Sequence, residues 1–168
     1  VSTDHARGLA GALYAKDVTL GQWQGDMRAQ IKGEYVRQYL LGRGGRDQMT
    51  QADWGSIGGM LARQYRFLDR CATDVATGEL SEAQIAARSE LYLRSAKQAF
   101  EKANGRARTS DTQVRWIKTA AESCSDCVDY AAMDWQPIVD DPFGGAVPRD
   151  GSTICKMGCQ CHREYKRQ

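Results

Sequence analysis

The residues from Cys124 to His162 constrain this chain more than any other stretch. They read CSDC, then a segment rich in Trp, Pro and Gly, then CKMGCQCH, and they hold five of the six cysteines. The spacing is C-x2-C, a gap of 27 residues, then C-x3-C-x-C-H. Cysteines two residues apart on a tight turn aim both sulfurs at one centre and let backbone N–H groups bond the thiolates. A second group downstream then completes a tetrahedral site. Such a centre closes a long loop and adds folding energy to a segment with few apolar residues. The pattern reads as a structural zinc site; one or two disulfides with a spare thiol is the alternative.

The candidate ligands are Cys124, Cys127, Cys155, Cys159 and Cys161, with His162 as a sixth donor, for four positions. Cys124 and Cys127 form the first pair. Adjacent Cys161 and His162 point apart on an extended backbone, whereas Cys159 and Cys161 share one side. Cys155 either completes the set or remains a free thiol. A site of four thiolates keeps no open position, which is the structural rather than the catalytic arrangement.

The rest of the chain is expected to be helical. Only three prolines occur in 168 residues, Pro137, Pro142 and Pro148, so the first 110 residues have none. Residues 4–16 read as a short helix with Leu9, Leu13 and Tyr14 on one side, weakened by Gly8 and Gly11. Three longer helices follow, about 20–41, 51–76 and 82–104, each opening with the same grammar. Thr19 stands three before Gln22, Thr50 three before Asp53, and Ser81 three before Gln84. Each is a capping-box pair, flanked by apolar residues placed as a hydrophobic staple: Val18 and Trp23, Met49 and Trp54, Leu80 and Ile85. The caps are equally spaced, but the residues between them do not match, so the spacing reflects helix length and not a repeat.

Apolar stripes mark the buried faces: Trp23, Met27, Ile31 and Tyr35; then Ile57, Leu61, Leu68, Cys71 and Val75; then Ile85, Tyr92, Ala96, Ala99 and Ala103. Cys71 reads as a small core residue. Gly78-Glu79-Leu80 is short enough to force an antiparallel hairpin. VRWIKTA reads as a strand entering the first cysteine pair, VDYAAM as one or two helical turns, and the tail CQCHREYKRQ as a strand pairing with VRWIKTA. The expected fold is mainly α. An antiparallel helical bundle or hairpin spans residues 1–110, and a small Cys-rich, zinc-ribbon-like α+β module spans residues 111–168.

Function classes can be narrowed. The net charge of +2 gives no bulk case for nucleic-acid binding. The opening VSTDHARGLAGALYAKD shows no apolar h-region and no small-residue cleavage site, so it does not read as a signal peptide. A reducing compartment favours metal over disulfide. LGRGGRD lacks the Lys-Ser/Thr of a phosphate loop. His5 and His162 are the only histidines. A Cys161–His162 nucleophile pair is disfavoured because sequence neighbours rarely face each other. Asp134, Asp140 and Asp141 are the candidates for a Mg²⁺ site and otherwise a solvated acidic loop. Arg43, Arg46, Arg106, Arg108 and the tail HREYKRQ are the candidates for DNA contact.

Taken together, VRWIKTAAESCSDC, MDWQPIVDDPFGG and CKMGCQCHREYK resemble the phage head morphogenesis family, the Mu F-like minor head proteins of tailed bacteriophages. QMTQADWGSIGGMLARQYRFLDR and LSEAQIAARSELY are similar to the helical region of related phage structural proteins. The commoner family pattern has a His-Pro before its C-x-C; here Cys155 stands in that region with one more residue of spacing. The resemblance implies a non-enzymatic virion protein near the portal or on the shell, made in the bacterial cytoplasm. Its implied partners are the portal or major capsid protein, with packaged DNA and a homo-oligomer as further options. The competing class is a zinc-ribbon DNA-binding protein or a Mg²⁺-dependent DNA-acting protein.

Overall fold

The structure is a computed structural model and describes residues 3–167. It is mainly helical, with a small antiparallel sheet near the C-terminus. The elements run α1 (Thr3–Tyr14), α2 (Leu20–Arg43), α3 (Gln51–Ala76), α4 (Glu82–Ser95), α5 (Lys97–Arg106), β1 (Thr112–Ile117), α6 (Ser125–Ala132), β2 (Gln136–Pro137) and β3 (His162–Arg167). No helix among the described residues is long and apolar enough to cross a membrane.

The chain forms two compact units, one of Val1–Arg37 and Thr50–Ala96, the other of Gln38–Met49 and Lys97–Gln168. The second takes in more than the Cys-rich segment. The end of α2 and all of α5 cluster with it, so residue 110, the boundary expected from composition, lies inside a unit.

In the first unit all three caps form. Thr19 N–H bonds Gln22 Oε1 at 2.8 Å, and Thr50 and Ser81 each close a full capping box with Asp53 and Gln84. The short Asp53 side chain still reaches Thr50 N–H, at 2.9 Å. Beyond the caps, Trp23 and Ile85 are buried, but Trp54 is 37% exposed and does not close its staple inward. The stripe Trp23, Met27, Ile31 and Tyr35 is fully buried, and Ile57, Leu61, Leu68 and Cys71 line the inner face of α3.

Helix α3 ends in a Schellman motif: Gly78, at φ +74°, donates to Val75 O, and Glu79 donates to Asp74 O. That turn folds α4 back on α3. Helix α1 packs against α4; it buries Ala6, Ala10 and Leu13, while Tyr14 is exposed rather than sharing the Leu13 face. Tyr35 Oη meets Ser95 Oγ at 3.0 Å, and Tyr92 Oη donates to Phe67 O at 3.0 Å.

The expected single helix over 82–104 is two helices, broken at Ala96. Ser95 Oγ donates to Tyr92 O at 2.7 Å, the carbonyl that Ala96 N–H would use in an unbroken α-helix. Ala96 N–H falls back to Leu93 O at 3.1 Å, and the ladder tightens by one residue.

In the second unit the sheet order is β2-β1-β3, all antiparallel. Strand β1 alternates: Thr112, Val114 and Trp116 are buried, and Gln113, Arg115 and Ile117 face the other way. The tail pairs with β1 as expected, Thr112 opposite Arg167 and Ile117 opposite His162. The cysteine groups therefore leave the same end of a two-strand ribbon. Strand β2 is an addition that the sequence reading treats as loop. A triangle of rings, Trp116, Tyr130 and Phe143, with centroids 5.0–5.4 Å apart, fills the space under the ribbon. Glu101 of α5 is buried beside β3, with its carboxylate 3.3 Å from the Arg163 amide and 3.8 Å from Arg163 Nε.

Candidate metal centre

Helix α6 starts at Ser125, earlier than the VDYAAM segment suggests, so the C-x2-C pair straddles its N-terminus: Cys124 is the N-cap and Cys127 lies in the first turn. The free N–H groups of a first turn favour negative charge. At Cys124, burial opposes ionisation, but backbone hydrogen bonds at Cys127 and Cys155 and the neighbouring thiols outweigh it, lowering this thiol below its ordinary value. Burial pushes the Cys127 thiol up, and it pushes Cys159 up to about 12. A cation that ligates these sulfurs reverses that balance, because the bound form of cysteine is the thiolate.

The closing segment is brought to α6 by short polar ties. Asp126, inside the first cysteine pair, accepts from Ile154 N–H at 2.8 Å. Asp150 accepts from Val147 N–H and Ser152 N–H, which folds the loop ahead of Cys155. Lys156 N–H bonds Thr153 O at 2.8 Å, Thr153 Oγ1 lies 3.3 Å from Cys155 Sγ, and Arg149 Nε donates to Cys159 O at 2.6 Å. Arg149 takes a left-handed φ of +71° to do so.

These ties bring five thiols together. Cys124 Sγ is 3.4 Å from Cys155 Sγ, and Cys127 Sγ is 3.7 Å from Cys155 Sγ and 3.8 Å from Cys159 Sγ. Metal–sulfur bonds of about 2.3 Å place tetrahedral sulfurs about 3.8 Å apart, and a disulfide needs about 2.05 Å. All six cysteines are free thiols in this structure. The sulfurs form two groups within ligating distance, Cys124–Cys127–Cys155 and Cys127–Cys159–Cys161, which share Cys127. Cys127, Cys159 and Cys161 are also part of the apolar core with Val114, Trp116 and Phe143. Cys71 lies apart, buried in α3.

The other candidates fall outside the nest. His162 turns away from Cys161: its Nδ1 is 3.3 Å from Thr119 Oγ1 and its Nε2 is 3.7 Å from Glu164 Oε1. The Cys161–His162 pair therefore does not meet. Asp134, Asp140 and Asp141 are exposed and form no ligand group among the described residues. Gly44 and Gly45 of LGRGGRD close α2, donating to Leu41 O and Leu40 O. Among the basic candidates, Arg43 donates to Arg106 O and Gln48 O, and Arg106 donates to Tyr39 Oη, so both brace the fold.

Asp126, Arg149 and Thr153 are absent from a reading based on metal ligands. Only Asp126 leaves a sequence signal, an acid in the first turn of a helix that a cysteine caps. Compared with known proteins, the chain matches no family model, no curated protein and no solved structure.

Proposed function

We propose that this chain is a non-enzymatic structural protein of a tailed-phage virion, a minor head protein whose Cys-rich unit is clamped by zinc and docks on the portal or major capsid protein. The observation that carries this reading is the convergence of the first cysteine pair with the closing cysteine group, the same parts on which the resemblance rests. An all-thiol donor set suits zinc in a structural role. The residues present fit the ion: five sulfurs, a capping cysteine at a helix N-terminus, and spacings of 3.4–3.8 Å. When bound, the ion supplies cross-linking, and the chain's residues supply the rest by orienting the sulfurs and excluding water with Trp116 and Phe143.

Two measurements test it. Protein purified without chelator should retain zinc and expose its nest thiols only after chelation. Mass spectrometry of purified particles should find the chain in the heads, released with the portal or shell. A chain missing from the particles would remove the virion assignment and leave the metal centre standing.

A second reading, contact with nucleic acid, draws on a surface cavity of about 130 Å³ lined by Arg108, Thr109, Thr112, Lys166 and Arg167, with no acidic side chain in its wall. Under that reading duplex DNA should bind with a steep salt dependence, and Lys166→Ala with Arg167→Ala should weaken it.

A further inference from the structure

The five sulfurs of the nest are not equally placed. Cys127, Cys159 and Cys161 are at most 3% exposed, whereas Cys124 and Cys155 are only partly buried. These two also stand 3.4 Å apart, closer than Cys127 stands to Cys155 or Cys159, at 3.7 and 3.8 Å. We propose that Cys124 and Cys155 are a redox pair, which peroxide links into a disulfide that withdraws two ligands from the metal centre. The release of an ion rests on the zinc reading; the pairing of the two cysteines does not.

Access, position and closure carry it. A small oxidant reaches the two partly exposed sulfurs and not the three buried in the core with Val114, Trp116 and Phe143. Bulkier thiol reagents are held off until the ion is removed. Cys124 caps α6, and Asp126, two residues on, accepts from Ile154 N–H beside Cys155 at 2.8 Å. That bond tethers the two stretches whether or not an ion is present. Closing to a disulfide of about 2.05 Å takes an approach of about 1.4 Å. Cys155 opens a single 3-10 turn, Lys156–Gly158, where such a shift displaces no long helix or strand. The Cys124 thiolate attacks peroxide and breaks the O–O bond, giving a sulfenic acid and a hydroxide that takes a solvent proton to become water. The Cys155 thiolate then attacks the sulfenic sulfur, forming S–S and expelling a second hydroxide, which is protonated likewise. Two electrons pass from the sulfur pair to one peroxide. Cys127, Cys159 and Cys161 remain, one donor short of a tetrahedral set.

The test uses the full chain, purified without chelator, freed of reductant and treated with hydrogen peroxide. Non-reducing peptide mapping should find one disulfide, Cys124–Cys155. A chromogenic zinc indicator should report about one zinc released per chain with the same time course, reversed by dithiothreitol. Cys155→Ser should form no disulfide and should leave a sulfenic acid at Cys124 that dimedone traps. Asp126→Ala keeps every thiol and should slow the linkage several-fold; an unchanged rate overturns the tether. A disulfide at another pair, or separate oxidation of Cys124 and Cys155, overturns the redox pair. Complete Cys124–Cys155 linkage with zinc still bound overturns the release and leaves the metal reading intact. The same linkage in a chain that never held zinc removes the metal reading and keeps the pair.

Discussion

Two glycines of α2 show how local geometry decides the sign of a substitution. Glycine in a helix interior ordinarily costs about 0.5–1 kcal/mol relative to alanine. Gly33 has nothing within 4 Å of the place a Cβ would occupy, so Gly33→Ala should raise stability by about that amount. At Gly42 the same atom would fall 2.5 Å from Phe100 O and 2.8 Å from Ala103 Cβ. Backbone cannot yield as a flexible side chain does, so Gly42→Ala should destabilise by about 1–3 kcal/mol. Urea unfolding of both variants checks the contrast; equal effects would remove the close approach of α2 and α5. Glu101 supplies a pH signature. Burial pushes its carboxyl above the usual carboxylate range, against the pull of Arg163. The folded chain therefore holds this proton more tightly than the unfolded chain does. The associated stability is fully present below the unfolded value of about 4.3 and is lost as pH rises through the raised one. Glu101→Gln should flatten that part of the pH–stability curve, read by urea midpoints across the acid range.

At the scale of elements, the helix starts were legible because capping is local chemistry. A hydroxyl and a carboxamide three residues apart can satisfy the first-turn N–H groups whatever the rest of the chain does. Ser81→Ala should therefore cost about 1 kcal/mol and fray the start of α4, visible as faster amide exchange over Gln84 and Ile85; unchanged exchange there would mean the cap carries no load. The β1–β3 pairing was expected from spacing alone, which sets both cysteine groups at one end of a ribbon. The break at Ala96 was not. Serine is tolerated inside helices, and only the third dimension shows that Ser95 Oγ takes the Tyr92 carbonyl. Strand β2 was hidden because two residues carry no period. At the nest, spacing could name five sulfurs but not their grouping. The grouping follows from Asp126 holding Ile154 and Arg149 holding Cys159, long-range bonds that leave no pattern in sequence.

At the scale of the molecule, the two units differ in what can hold them together. The first has long helices whose stripes of Trp, Met, Ile, Leu and Tyr are buried. The second encloses a three-ring cluster and a core in which three of seven buried members are cysteines. Uncharged thiols pack as small apolar groups, but beyond Phe143, Ala146, Val147 and Pro148 the largely irregular stretch from residue 133 to 161 buries few other apolar side chains to hold them. Structural zinc contributes about 10–16 kcal/mol to comparable small modules at neutral pH, as much as a whole domain's net stability. On the proposed zinc reading, removing the metal should therefore act on one unit and spare the other. With a strong chelator under reductant, amide exchange should rise across β1, α6 and β3, and near-ultraviolet signals from Trp116 and Phe143 should weaken. Exchange in α1, α3 and α4 should stay slow, and Cys71 should remain unreactive to thiol reagents while the five nest cysteines become reactive. Readdition of Zn²⁺ should restore protection. If all helices lost protection together, the two units would be one cooperative structure. If none did, the aromatic cluster and sheet would suffice without metal, and the convergence of five thiols would be core packing.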